Sequence, residues 1–399
     1  MRAAALLLVC GLSWALAAGD PTVGEPAAAP APPVTPVTPV TPVTLPPPAT
    51  PVTLPPPATP ATPAAPSPTA PAQAPSIQAP PPQLQPLIEH GHFDLTRPEI
   101  QAFIDQLVTL GLDRSSVTAV LGAAEAQSKI IEAMDRPAEK TLQWWEYRAR
   151  MLTPLRIDAG VQLWRDHKEL LDQVAIEYQV APEYLLAVLG VETQYGRTTG
   201  RYRVIDALTT LSFDYPPRAS YFRKELSEYL LLAREDGFDP LNVRGSYAGA
   251  MGALQFMPSS YRRYAVSAQH AAHRDLWNDW ADIFASVANY LHQYGWQYGA
   301  PVLADAQLLG TASLTPPEHV ALNDTLGSLR ARGLSIDTTL PDSTPALLLA
   351  APQQDGMGYR VGFQNFYVIT RYNTSPLYAM AVHDLAQAIK QQVQREAAL

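Results

Sequence analysis

The chain has 399 residues, 47% hydrophobic and 16% charged, with 40 prolines and a formal net charge of −9. The negative balance argues against nonspecific binding to nucleic acid or anionic lipid, which needs clustered positive charge. The single cysteine, Cys10, stands near the N-terminus, so the remainder has neither disulfide nor thiolate chemistry.

Met1 and Arg2 precede an apolar run from Ala3 to Ala18, and Ala15, Ala17 and Ala18 supply an A-x-A pattern. Residues 1–19 therefore read as an export signal, since the run is shorter than the ~20 apolar residues of a spanning helix. Val9 stands where an acylated cysteine at position 10 would need a small residue. Residues 20–86 are built of Pro, Ala, Thr and Val, with the unit VTLPPPATP starting at both Val43 and Val52. This composition cannot form a core; in polyproline II, at ~3.1 Å per residue, about 65 residues reach on the order of 200 Å. A tether or spacer is expected.

The folded part begins near Leu87 and holds roughly 310 residues, enough for a substantial core. Thr96, Arg97, Pro98 and Glu99 spell a capping box with proline at the first helical position, and Ile100, Phe103, Ile104 and Leu107 follow at helical spacing up to Gly111. A second helix is expected around Val117 and Leu121, and a further apolar face runs through Val161, Trp164, Leu171, Val174 and Tyr178. Pro182 opens a helix whose residues Tyr184 to Val191 are apolar almost all round, with Gly196 as its stop. A helical block spans Asp282 to Tyr290. Short apolar runs at Ala346 to Ala350 and Tyr359 to Phe363 read as strands. Ser375 and Pro376 begin a last helix carrying Tyr378, Val382, Leu385 and Ile389. The expected division is an N-terminal helical part (87–160), a helical core (161–299 and 364–399) and a small α+β insertion (300–363).

Glu192, in GVETQYG, ends the apolar helix. A hydrophobic wall and the negative end of the helix dipole both favour its protonated form, which general-acid cleavage of a glycosidic bond requires. An ordinary ion pair with Arg197, Arg201 or Arg203 is the competing reading. In SYAGAMGALQFMPSS, from Ser246 to Ser260, small residues admit close backbone approach and Gln255 offers an amide. The chain's 7 Trp, 18 Tyr and 9 Phe include many near these segments, where their faces suit either sugar C–H surfaces or core packing.

Five ordered blocks make a resemblance specific: GVETQYG, ALTTLSFDYPPRASYF from Ala207, DPLNVRGSYAGAMGALQFMPSSY from Asp239, DIFASVANYLHQYGW from Asp282 and NFYVITRYNTSPLYAMAV from Asn365. Together, over Leu87 to Gln394, the chain resembles the soluble lytic transglycosylase B-like family, the group of membrane-bound lytic murein transglycosylase B. The resemblance implies a mainly α fold, a lysozyme-like helical core with an N-terminal helical part and a small α+β insertion, acting on peptidoglycan in the periplasm. It places the catalytic acid at Glu192. Sugar contacts fall on Ser246, Gln255, Phe256, Tyr221, Tyr290, Tyr372, Asn373 and Tyr378. Glu192 would protonate the oxygen between N-acetylmuramic acid and N-acetylglucosamine, then take the proton of the muramyl 6-hydroxyl as it attacks C1, leaving a 1,6-anhydro end. Attack from within the substrate explains how one carboxylate suffices; Asp206, Asp214 and Asp239 are the second carboxylates a hydrolase could use.

Members of this group can carry a calcium loop before an NLW or DLW motif. Here the loop is Ser267 to Asp275, and Asp275 is its one acidic residue; calcium needs several oxygen ligands, so no metal or cofactor is expected. His270 and His273 are spaced i, i+3 without an evident third ligand. The expected partners are peptidoglycan glycan strands and cell-wall synthesis or remodelling proteins, with no nucleic acid, for a monomer. A hydrolytic muramidase and a noncatalytic peptidoglycan-binding scaffold are the alternatives.

Overall fold

The computed structural model describes residues 90–135, 142–269, 273–310 and 314–398; the export signal, the proline-rich segment and His270 lie outside them. Strand β1 (His90–His92) pairs antiparallel with β2 (Glu125–Gln127), and α1 (Pro98–Thr109) and α2 (Arg114–Gly122) form the loop between them. Pro98 starts α1 as its fixed φ dictates, but the capping box does not form. The Thr96 hydroxyl instead donates to Asp94 at 2.6 Å, and Arg97 Nε holds the Glu99 carboxylate at 2.8 Å. Proline preorganisation starts the helix without a side-chain cap.

Helices α3 (Ser128–Asp135), α4 (Trp144–Met151), α5 (Pro154–Asp166), α6 (Lys168–Tyr178) and α7 (Pro182–Thr193) follow. The apolar face from Val161 to Tyr178 is two helices, because His167 leaves helical geometry at φ −126° and turns the chain. Every residue of α7 from Glu183 to Thr193 is buried, as its all-round apolar pattern requires. Beyond it come β3 (Tyr202–Arg203), α8 (Val204–Phe213), α9 (Ala219–Asp236), β4 (Arg244–Gly245), α10 (Pro258–Tyr264) and α11 (Trp280–Gln293), with β3 and β4 antiparallel.

Strands β5 (Leu303–Leu308), β6 (Asp324–Thr325), β7 (Leu334–Ile336), β8 (Pro345–Ala350) and β9 (Tyr359–Gly362) form an antiparallel sheet in the order β6-β8-β9-β5-β7, with helix α12 (Leu326–Ala331) following β6. Alternation along β8 sends Leu347 and Leu349 into the helical core and Ala346 and Leu348 into a second core with Leu326 and Leu329. That is why its run is continuously apolar. Helices α13 (Gln364–Tyr372) and α14 (Pro376–Ala397) close the chain, with Ser375 capping α14 through the Tyr378 amide. Helix α7 is surrounded by α5, α6, α11 and α14. Asp384 of α14 ties this core to the sheet, accepting from Arg148 of α4 and Arg360 of β9, each at 2.7 Å.

Close approach of α5, α7 and α14 depends on Gly160 and Gly190. A Cβ at Gly190 would lie 2.6 Å from the Tyr195 hydroxyl and 2.9 Å from Leu385, and that hydroxyl is fixed by donation to the Arg156 carbonyl at 2.9 Å. Gly190→Ala is expected to destabilise the chain by about 1 to 3 kcal/mol through overpacking, read as a lower urea midpoint at unchanged slope. An unchanged midpoint would mean that Tyr195 moves aside without cost.

His383 on α14 meets the Tyr184 hydroxyl of α7 at 2.9 Å. Burial first, with the charge of Arg360 adding, lowers its pKa from 6.5 to about 4. The unfolded chain therefore takes up this proton first as pH falls, and stability is lost between pH 6.5 and about 4. The loss expected from this site is about 2 kcal/mol, allowing for its partial exposure. Urea midpoints at neutral and acidic pH, compared between the native chain and His383→Gln, should show a shallower acid decline in the variant; parallel declines would remove His383 as a contributor.

Candidate active site

Glu192 occupies the last turn of α7 and is 5% exposed. Its carboxylate accepts a hydrogen bond from the Tyr378 hydroxyl at 2.7 Å. Tyr378 sits in the first turn of α14, placed there by the Ser375 cap. Of the arginines that could have paired with Glu192, Arg203 turns to Asp206 at 2.8 Å and Arg201 lies over the Tyr202 ring. Helix α7 then stops abruptly: Gln194, Tyr195 and Gly196 take successive positive φ values of 51°, 60° and 77°. The helix thus ends at Thr193, before the expected stop at Gly196. Left-handed backbone at two non-glycine residues is costly and is held by fixed contacts. Thr193 Oγ1 donates to the Ala253 carbonyl at 2.8 Å and accepts from the Gly196 amide at 2.9 Å.

The segment from Ser246 to Met257 is a folded-back loop. Met251 pairs with both Gly245 and Phe256, and Gly252 at φ +69° brings its backbone so close to Leu276 that a Cβ would meet that carbonyl at 2.7 Å. The Ser246 hydroxyl oxygen accepts from the amides of Ala248 at 3.2 Å and Ala250 at 3.0 Å, which leaves its proton to donate. Gln255, at φ 50°, gives its side-chain nitrogen to the carbonyls of Thr199 and Gly252, both at 3.0 Å. Its remaining polar atom is Oε1. At the end of α13, Asn373 accepts from the Ser375 amide at 3.0 Å, while its Nδ2 is buried without a partner.

The aromatic residues named from the resemblance lie together. Phe256, Tyr290, Tyr372 and Tyr378 are all 0% exposed. They stack on one another as a wall: Tyr290 lies 4.8 Å and Phe256 5.7 Å from Tyr372, and the Tyr372 and Tyr378 rings are parallel within 9°. Tyr290 donates to the Arg371 carbonyl and Tyr372 to that of Leu254, which fixes α13 against the loop. Burial, with the Glu192 charge added, pushes the hydroxyls of Tyr372 and Tyr378 well above the usual phenol range, so both remain donors. Tyr221 is half-buried on α9, beneath the Arg218 guanidinium at 4.5 Å.

Tyr147 of α4 escaped the sequence reading. It is 1% exposed and belongs to the same core as Tyr372 and Tyr378. The only sequence signal was an aromatic cluster, WWEY. The other carboxylates have structural partners: Asp206 holds Arg203 and the Glu125 amide, Asp214 holds Arg97, and Asp239 accepts from the Leu241 amide. In the loop before α11, Asp275 accepts from the amides of Trp277 and Asn278, and Asp282 accepts from those of Ala268 and Asp275.

The chain that carries this buried acid has counterparts among known proteins. Residues 96–387 match the family model described as the transglycosylase SLT domain. The chain is 40% identical over 304 residues to membrane-bound lytic murein transglycosylase B of Escherichia coli, covering 73% of this chain and 82% of that protein. The crystal structure of soluble lytic transglycosylase SltB1 from Pseudomonas aeruginosa is 43% identical with a TM-score of 0.68, over 74% of this chain and 99% of that one. SltB3 from the same organism, solved in complex with NAG-NAM-pentapeptide, is 28% identical with a TM-score of 0.63, over 73% and 78% of the two chains. By the extent of these matches, this chain belongs to the transglycosylase SLT domain family of lytic murein transglycosylases.

Proposed function

We propose that this chain cleaves the β-1,4 bond between N-acetylmuramic acid and N-acetylglucosamine in peptidoglycan strands carrying peptide, and that it does so in the periplasm with the proline-rich segment as its tether. The observation that carries the reading is the Glu192 carboxyl, buried at the end of α7 and fixed by the Tyr378 hydroxyl. Glu192 gives its proton to the glycosidic oxygen as the C1–O4 bond breaks. Its carboxylate then accepts the proton of the muramyl 6-hydroxyl while O6 bonds to C1. The acid is regenerated and no water is consumed. Ser246, through its free proton, Gln255, through Oε1, and Asn373, through Nδ2, are the sugar-contacting groups; Tyr221 takes the same role from α9. Phe256, Tyr290, Tyr372 and Tyr378 position the acid and the loop.

A hydrolytic muramidase would need a second carboxylate to activate water. The structural engagements of Asp206, Asp214 and Asp239 speak against it, and the presence of Glu192 speaks against a noncatalytic scaffold. Mass spectrometry of muropeptides released from purified sacculi tests the reading. Products lighter by one water than their hydrolysed equivalents are expected; full-mass reducing ends would replace the proposal with a muramidase, and no release would leave a binding protein.

A further inference from the structure

A cavity of about 260 Å³ lies between the α4–α5 turn and the turn that leaves α7, and Arg150, Arg156 and Arg197 line it together with Thr153 and Tyr195. The lining residues include no carboxylate to neutralise three guanidiniums. Arg156 is 5% exposed. Its Nη1 is spent on the carbonyls of Arg150 and Met151, while its Nε is buried with no partner. Leaving a buried donor unbonded costs about 1 to 3 kcal/mol, more when it is charged. Among the described residues, neither Arg150 nor Arg197 forms an ion pair, and both are exposed. Thr153 caps the 13-residue helix α5, whose first turn holds no acidic residue, so the positive end of that helix faces the same space.

The geometry points to an anion-binding pocket, and we assign its occupant as a carboxylate of the peptide borne by the muramyl sugar of the strand. Planar guanidiniums match a carboxylate's two oxygens in bidentate fashion. The volume is below that of sites that enclose a whole small ligand, roughly 300 Å³ and more, so it suits one group of a larger substrate. The lining includes Gln194, two residues past the acid in the chain, and every unblocked peptide ends in a carboxylate. The assignment rests on the lytic transglycosylase reading and deepens it: the pocket would make the enzyme prefer strands whose peptides are in place.

The test uses the full chain bearing Glu192→Gln, so that ligands stay intact, with calorimetric titration of the NAG-NAM disaccharide with and without its pentapeptide. The peptide-bearing ligand is expected to bind about tenfold more tightly, as one charge-assisted contact allows. Arg150→Gln with Arg197→Gln should erase that advantage at an unchanged melting midpoint, and inorganic phosphate should compete it away in the chain with both arginines. No advantage, or one that survives the double substitution, overturns the assignment. Phosphate binding that is lost on substitution, with no peptide advantage, makes the pocket a site for a free oxyanion and overturns it equally. Failure of the underlying reading looks different: the native chain would then release no anhydro-muropeptides from sacculi.

Discussion

Glu192→Gln is expected to slow release of anhydro-muropeptides from purified sacculi by roughly a thousandfold or more, while the melting midpoint stays that of the native chain. Proton transfer from or to a positioned side chain contributes typically about 10² to 10⁴ in rate, and in this site one group serves both transfers. The amide has the size of the carboxyl it replaces, and its carbonyl can still accept from the Tyr378 hydroxyl, which lies 2.7 Å from Glu192. The tyrosine wall and the Ser246–Met257 loop should therefore be undisturbed, and any loss would be chemical. Initial rates by liquid chromatography and mass spectrometry, beside thermal unfolding of both proteins, make the comparison. Activity within about tenfold of the native chain would remove Glu192 as the acid, since a lone proton donor cannot be deleted at so small a cost.

That carboxyl was legible because its surroundings are local. Tyr184 to Val191 form an apolar helix in any context, and a glutamate in its last turn is buried with it. Helix starts at prolines 98, 182 and 376 were legible for the same reason. The aromatic residues were not, because their exposure is decided by partners far away in the chain. Tyr372 is buried by Phe256, Tyr290 and Tyr378, and its hydroxyl bonds a carbonyl 118 residues earlier. No periodicity within one segment can report that three segments converge. The same limit hid Tyr147, which is buried in the same core as Tyr378. The loop around Gln255 was legible in part: its small residues announce close backbone approach, and Gly252 at positive φ lies against the Leu276 backbone, while the positive φ of Gln255 itself had no local signal.

Tyr378→Phe is expected to lower kcat by about tenfold, the worth of one hydrogen bond to a charged group, and to move the descending limb of the pH–rate profile to higher pH. The hydroxyl donates to the carboxylate, so it favours the charged form of Glu192; removing it favours the protonated form, which is the one that must deliver a proton. The variant therefore keeps its acid loaded to higher pH yet loses the contact that fixes the carboxyl plane and steadies the charge once the proton has left. The ring is buried against Tyr372 and phenylalanine keeps that stacking, so a packing defect would not explain the result. A structural role alone would depress the rate equally at every pH. Rate profiles of both proteins on the same sacculi separate the two: a uniform drop without displacement of the limb would reduce Tyr378 to a piece of the wall, whereas a displaced limb makes it the residue that tunes Glu192 between its two proton transfers.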